Sequence, residues 1–259
     1  MRQGFIGVVP AAGRAVRLHP FRYPKELIPI VYEPGSTGTA VRPLLAIEYT
    51  LRALRLADIE RTLVVLSSSK AELLRILGDG SEYGMHLAYV NQEDATGLAH
   101  AVDVAYPWIA ERPIILTLPD TIYLPIDAPR LVCQELYARQ TDVLLGVFPT
   151  DRPEQLGPVR MDKRGRVIDV QDKPARTDVR NTWGMAAWSP AFTQFAHEQL
   201  ARLPAKQDIP LGALFDRAIR EGLKVEGLFF EHGRFSDAGT PEGLTTLLAR
   251  TDLASSHDR

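Results

Sequence analysis

Short apolar runs alternate along the first half of the chain with stretches in which leucine, isoleucine and valine return at helical spacing. Phe5, Ile6, Val8 and Val9 predict a buried strand, and the small residues from Pro10 to Val16 predict the loop that leaves it. Leu44, Leu45, Ile47, Leu51 and Leu54 predict a helix, and TLVVLS over 62–67 a second buried strand. Ser68 or Ser69 is the expected cap of a helix carrying Leu73, Leu74 and Leu77 to the turn Gly78-Asp79-Gly80-Ser81. His86 to Val90 then reads as a strand, Gly97 to Ala110 as a helix, and Pro113 to Leu118 as a strand. Strands alternating with helices predict an α/β fold on a mostly parallel sheet.

The pattern changes further on. A helix at about 128–139 and a strand over Val143–Phe148 are followed by shorter strands, Pro158–Met161 and Val167–Val170, around the turn Lys163-Arg164-Gly165. These predict antiparallel additions to the sheet. Helices at about 190–202 and 210–221 and a strand over Val225–Phe230 lead to Thr240 and Pro241, an N-cap and first-turn pair for a last helix. Glu33 to Thr39 is turn-rich and reads as a flexible excursion, and the tail from Ser255 is expected to fray.

Composition narrows the class more than the function. With 259 residues, 45% hydrophobic and 24% charged, the chain is long enough for a full core. Thirty basic against thirty-two acidic residues leave a net charge of −2, so no overall positive field draws nucleic acid or anionic membrane, and an anion site has to be local. The single cysteine, Cys133, excludes an internal disulfide, fits a reducing compartment and reads as packing within its helix. No apolar run reaches membrane-spanning length, and Gly7 and Pro10 interrupt the N-terminal one, so a cytoplasmic protein is expected.

The candidate chemistry starts at the first strand. Its small-residue loop lets backbone N–H groups approach a phosphate closely, and Arg17 and Lys25 can neutralise the charge. Taken alone, such a loop is equally well read as an ordinary turn beside two solvated cations. Asp120 follows a strand, where ligands gather in an open parallel sheet, although aspartates there also cap helices and form turns. Dinucleotide, P-loop and serine-hydrolase signatures are absent from the sequence, and its six histidines show no metal-ligand spacing.

Ala11-Ala12-Gly13-Arg14-Ala15-Val16-Arg17-Leu18-His19-Pro20, followed by Pro24-Lys25-Glu26-Leu27-Ile28-Pro29, resembles the N-terminal signature of the sugar-1-phosphate nucleotidyltransferases, the glucose-1-phosphate thymidylyltransferase and uridylyltransferase group. LGDGSEYGMHLAYV with Gln92 and Gly97 after it, Asp120, Gly157, Asp172-Lys173-Pro174, Gly184 and Phe235-Ser236-Asp237-Ala238-Gly239-Thr240 continue the match to about Leu248. The departures are Ala12 and Ala15 where the family usually has Gly, Val16 for Thr, Pro119 for Gly, and the loss of most of an acidic element around Asp208. Glu33 to Thr39 stands as an insertion before Pro43, a surface excursion or a lid.

The resemblance implies a Rossmann-like, mostly parallel sheet flanked by helices, whose antiparallel strand additions form a sugar-binding subregion. One nucleotidyltransferase domain spans 1–259: a nucleotide-binding part over about 1–125, a sugar-binding part over about 126–253 and a tail over 254–259. Neither the extra C-terminal helices of the longer thymidylyltransferases nor a hexapeptide-repeat domain is expected. The implied reaction joins a sugar 1-phosphate, glucose 1-phosphate by default, to dTTP or UTP and releases pyrophosphate. Ala11, Ala12, Gly13, Gln92 and Gly97 are the implied nucleotide-binding residues, an amide such as Gln92 being able to satisfy the N3 and O4 edge of uracil or thymine. Arg17, Lys25, Asp120, Lys173 and Asp237 are the implied catalytic residues, with Asp120 and Asp237 holding Mg²⁺. Thr121, Gly157, Asp172 and Gly184 are implied at the sugar, where Trp183 either narrows the site or packs in the core. Partners are small molecules, not nucleic acid or membrane, and the chain is a homodimer or a monomer. The alternative is a non-catalytic or weakly active sugar-nucleotide-binding regulatory homologue; against it stand the five charged positions in their expected order.

Overall fold

The computed structural model describes residues 4–13, 23–34, 41–94, 96–204 and 207–249. Arg17, Ala15, Val16, residues 35–39 of the 33–39 excursion and the tail from 250 lie outside the described residues.

The apolar runs fold as the pattern predicts. β1 (Ile6–Pro10), β4 (Arg61–Leu66), β5 (His86–Asn91), β6 (Ile114–Thr117), β8 (Val143–Pro149), β11 (Asn181–Trp188) and β12 (Val225–Phe229) form a seven-stranded sheet in the order β12-β8-β11-β6-β1-β4-β5. β1, β4, β5, β6, β8 and β12 run in parallel, and β11 alone is reversed. Both faces are covered. On one, Val8, Leu116, Leu145 and Ala186 pack with α3 (Leu98–Asp103), α4 (Tyr106–Ile109), α6 (Pro190–Ala201) and α7 (Leu211–Arg220). On the other, the neighbouring residues Val9, Ile115, Leu144 and Ala187 pack with α1 (Ala46–Leu56), α2 (Ala71–Leu77) and α5 (Ala128–Arg139). Successive strand residues face opposite ways, so a strand buried on both sides must be apolar throughout, which is why these runs are continuous. Each buried aliphatic side chain contributes about 1.5–3 kcal/mol. Cys133 is buried in α5, and burial pushes its thiol pKa up, as suits a packing residue.

Three antiparallel pairs stand beside the main sheet: β9 (Val159–Met161) with β10 (Val167–Val170), β7 (Thr121–Leu124) with β13 (Arg234–Asp237), and β2 (Pro29–Pro34) with β3 (Val41–Leu45). The last pair corrects the reading of 33–45. Glu33 and Pro34 belong to β2, and Leu44 and Leu45 end β3, so α1 begins at Ala46. A helical spacing of leucines could not exclude a strand ending against the same core, where Ile30, Leu44, Tyr49 and Ile122 meet. The helix expected over 97–110 is likewise two pieces, α3 and α4.

At α2 the expected serine cap is also corrected. Ser68–Lys70 forms a 3₁₀ turn, the residue before α2 is Lys70, and neither Ser68 nor Ser69 caps the helix. In contrast, Thr240 accepts the Gly243 N–H at 3.1 Å and opens α8 (Pro241–Leu248) as expected. Among the described residues, no helix is long and apolar enough to cross a membrane.

Candidate active site

The carboxyl ends of β1, β5 and β6 open onto one edge of the sheet, and β11, running the other way, brings its first residues there as well. Loops from these ends surround a cleft of about 570 Å³, a volume suited to a small-molecule substrate. Its wall includes Ala12 and Gly13 after β1, Gln92 and Gly97 after β5, Asp120 and Thr121 after β6, and Thr182 and Trp183 at the start of β11. Lys25, Gly157, Asp172, Lys173 and Asp237 complete it from other parts of the chain.

Two carboxylates meet because β7 and β13 pair. Thr121 lies opposite Asp237 in that ladder, and the Ala238 N–H donates to the Asp120 carbonyl at 2.8 Å. A methyl group built on Gly239 would fall within 3.1 Å of Asp120 Oδ2, Asp237 Oδ1 and Lys25 Nζ together. Asp120 Oδ2 and Asp237 Oδ1 therefore lie no more than about 5.2 Å apart, within about 1 Å of the roughly 4 Å that opposite oxygen ligands of one Mg²⁺ span. Lys25 is ion-paired to Asp120, and the Gly239 N–H donates to Asp237 Oδ1 at 2.7 Å. Burial alone would lower the Lys25 pKa, but Asp120, Glu26 and Asp237 outweigh it and hold the ammonium above its ordinary value. The lysine stays charged.

The donor set fits a hard divalent ion. Two aspartates beside an open cleft leave coordination positions for phosphate oxygen and water, the arrangement Mg²⁺ prefers. Among the described residues, no group of three or more His, Cys, Asp or Glu forms a protein-only metal cage.

The other expected site residues divide. Gln92 is buried, lines the cleft and reaches Thr96 Oγ1 at only 3.4 Å, so its amide is weakly engaged. Gly97 has φ +97°, a conformation that favours glycine, and its Cα side is filled by the Asp208 carboxylate. Gly157 is covered by the Trp183 indole, whose Cδ1 would lie 2.8 Å from a Cβ there. Trp183 lines the cleft and meets Phe215 edge-on at 5.9 Å, packing against the core. Lys173 adopts φ +44° and is held by its N–H to the Leu156 carbonyl at 2.8 Å. Such backbone is costly for a side chain other than glycine and is found where a site demands it.

Two expected residues do not line the cleft. Gly184 is packed behind it, with Phe235 and Phe148 at 2.9 and 3.3 Å from where its Cβ would be. The β11–β8 register shifts between Trp183 and Met185, and this bulge at Gly184 leaves Trp183 lining the cleft while Gly184 gives room to the rings. Ala11 is fully buried in the core and is not part of the cleft wall. Its carbonyl accepts from Lys70 Nζ at 2.6 Å, and the same ammonium donates to Glu26 Oε1 at 2.7 Å. Lys70 and Glu26 were not among the expected site residues. One signal was available: a lysine directly before a helix stands at the end whose dipole disfavours a cation.

The chain is similar throughout to one family. A model described as nucleotidyl transferase matches residues 6–252. A low-salt glycan biosynthesis nucleotidyltransferase of Haloferax volcanii is 27% identical over 92% of this chain and 63% of that protein. A glucose-1-phosphate thymidylyltransferase of Streptomyces griseus is 26% identical over 76% of this chain and 51% of that protein. Both matches leave a large share of the longer relative uncovered: the alignments span about half to two thirds of those two curated proteins. A solved structure, a UTP-bound UGPase from Acinetobacter baumannii, superposes with a TM-score of 0.75 at 20% identity, covering 96% of this chain and 92% of that one.

Proposed function

Because the chain belongs to the nucleotidyl transferase family, in its sugar-1-phosphate branch, we propose that it joins a sugar 1-phosphate to a pyrimidine nucleoside triphosphate and releases pyrophosphate. The observation that carries the reading is the meeting of Lys25, Asp120 and Asp237 around Gly239, at a cleft that Gln92, Gly97 and Lys173 also line.

A sugar-phosphate oxygen attacks the α-phosphorus; a new P–O bond forms as the bond to the bridging oxygen of the leaving pyrophosphate breaks. Both reactants are anions, and unit charges about 4 Å apart interact by roughly 4 kcal/mol near a protein surface, so fixed positive groups are needed. Lys25 supplies one at the α-phosphate, and Lys173 supplies another at the incoming sugar phosphate. Arg17, outside the described residues, belongs on the triphosphate in this scheme. The nucleophile is already ionised, so no general base is required, and rate enhancement comes from positioning and charge stabilisation. Asp120 and Asp237 are the residues that would hold Mg²⁺, which would supply positive charge to offset that of the phosphates.

Gln92 can donate and accept at the edge of uracil or thymine, and Gly97 lets the backbone come close to the base. Gly157, Thr121 and Asp172 form the sugar side, with glucose 1-phosphate as the first sugar to test. UTP and dTTP differ by one methyl, which a pocket distinguishes by about 1–3 kcal/mol. The test is pyrophosphate release with Mg²⁺, pairing UTP, dTTP, CTP, ATP and GTP with a panel of sugar 1-phosphates. Turnover with UTP or dTTP and one of the sugars is expected. Nucleotide binding without release in any pairing would instead mark a regulatory homologue.

A further inference from the structure

Behind the cleft wall lies a buried charge pair for which phosphate transfer has no direct use. Glu26 is fully buried and Lys70 is 6% exposed; the pair carries a desolvation cost that an apolar pair would avoid. Burial pushes the Glu26 pKa up and the Lys70 pKa down, each against the pull of the other. Among the described residues, the second carboxylate oxygen, Glu26 Oε2, is buried with no hydrogen-bond partner. Such an arrangement is a poor source of stability, which directs attention to the third member of the cluster, the carbonyl of Ala11.

We propose that Lys70 is a positioning residue for the nucleotide phosphates: anchored by Glu26, it turns the Ala11–Ala12 peptide so that the Ala12 N–H faces the cleft. This rests on the function proposed above. The geometry follows from one peptide plane. In a trans peptide the carbonyl of one residue and the N–H of the next point in opposite directions. The Ala11 N–H donates to the Val65 carbonyl at 2.6 Å, and the Ala11 carbonyl accepts from Lys70 on the α2 side. The Ala12 N–H is thereby sent the other way, toward the cleft that Ala12 and Gly13 line. Ala12 is only 4% exposed, and among the described residues its N–H makes no hydrogen bond. Buried backbone donors are rarely left unpaired, and an N–H at the exit of a strand is a ready phosphate donor.

Glu26 ties this peptide to the rest of the site, because it follows Lys25 in the same 3₁₀ turn. Lys70, Glu26, Lys25 and Asp120 thus form a row of alternating charges from the phosphate loop to the proposed metal carboxylates.

Three forms of the protein separate positioning from simple stability: wild type, Lys70→Met, and the double variant Glu26→Leu/Lys70→Met. Removing one partner strands a buried charge and destabilises, whereas replacing both with apolar groups is often neutral. Thermal melts should therefore show a loss in the single variant that the double variant largely regains. The nucleotide readout should not recover. In both variants the KM for UTP or dTTP, and the Kd from calorimetric titration of the same nucleotide, should rise about tenfold, the effect of losing one good hydrogen bond to phosphate. The KM for sugar 1-phosphate should stay within about twofold. A double variant with wild-type nucleotide KM and Kd would overturn the proposal, as would an equal rise in both KM values. Calorimetry keeps the two readings apart. A wild type that binds nucleotide without turnover counts against the proposed function alone, and one that binds no UTP or dTTP counts against both.

Discussion

Gly239→Ala tests the proposed catalytic cluster without removing any of its charges. The added methyl would stand 2.8 Å from Asp237 Oδ1 and 3.1 Å from Lys25 Nζ, and closer still to Asp120 Oδ2. Non-bonded heavy atoms rest at about 3.5 Å or more, so Asp237 would have to retreat by roughly 0.7 Å and Lys25 by roughly 0.4 Å. Mg²⁺ bonds of about 2.0–2.1 Å in near-octahedral geometry do not tolerate such a displacement, and neither does a lysine aimed at a phosphate. Losing one preorganised charge contact costs about 100- to 1,000-fold in kcat, and here more than one is shifted. Gly239 has no positive φ, so alanine brings no backbone strain and the fold should melt within a few degrees of wild type. The expected result is kcat for pyrophosphate release at least about 100-fold lower, with an enlarged Mg²⁺ requirement. A well-folded Gly239→Ala protein with kcat within about threefold of wild type would refute the claim that these three groups act together at the reacting phosphate.

Three further outcomes are expected. Lys25→Ala and Asp120→Asn should each lower turnover about 100-fold or more, and chelation of divalent ions should abolish it in the wild type; full activity in either variant would remove that residue from the mechanism. Lys25 has a pKa raised above its ordinary 10.5, so its contribution to stability is complete below that pH and lost as pH rises through the higher folded-state value. The difference in melting temperature between wild type and Lys25→Met should accordingly be flat from pH 7 to about 10 and shrink above it, and a difference that closes below about pH 9 would contradict the assignment. Gly157→Ala presses on the Trp183 indole from 2.8 Å at Cδ1 and should raise the KM for sugar 1-phosphate about threefold to tenfold, leaving the nucleotide KM unchanged. Equal changes in both would mean that Trp183 does not shape the sugar end.

Much of this molecule is legible in one dimension. A strand covered on both faces must be apolar at every position, so β1, β4, β6 and β8 announce themselves as continuous runs, and Thr240-Pro241 marks its helix because capping is settled within a few residues. The charged candidates Lys25, Asp120, Lys173 and Asp237 could be named from their motifs for the same local reason. What the chain did not disclose is what depends on a partner far along it. β7 and β13 are four residues each and carry little pattern of their own; they are strands because they pair with one another, and that pairing alone sets Asp237 beside Asp120. Leu44 and Leu45 have helical spacing yet finish a strand, since the hairpin and its small core decide the matter. Glycines at 157 and 184 look alike in sequence, and only the fold sets Gly157 against the cleft-lining Trp183 indole and Gly184, at a bulge in β11, against phenylalanines. Lys70 belongs to no motif in the sequence; the fold buries it, because its ammonium lies where a carbonyl from β1's exit and a carboxylate from the following turn converge. Local propensity is a property of neighbours in the chain, whereas a site is made by neighbours in space, and only folding supplies those.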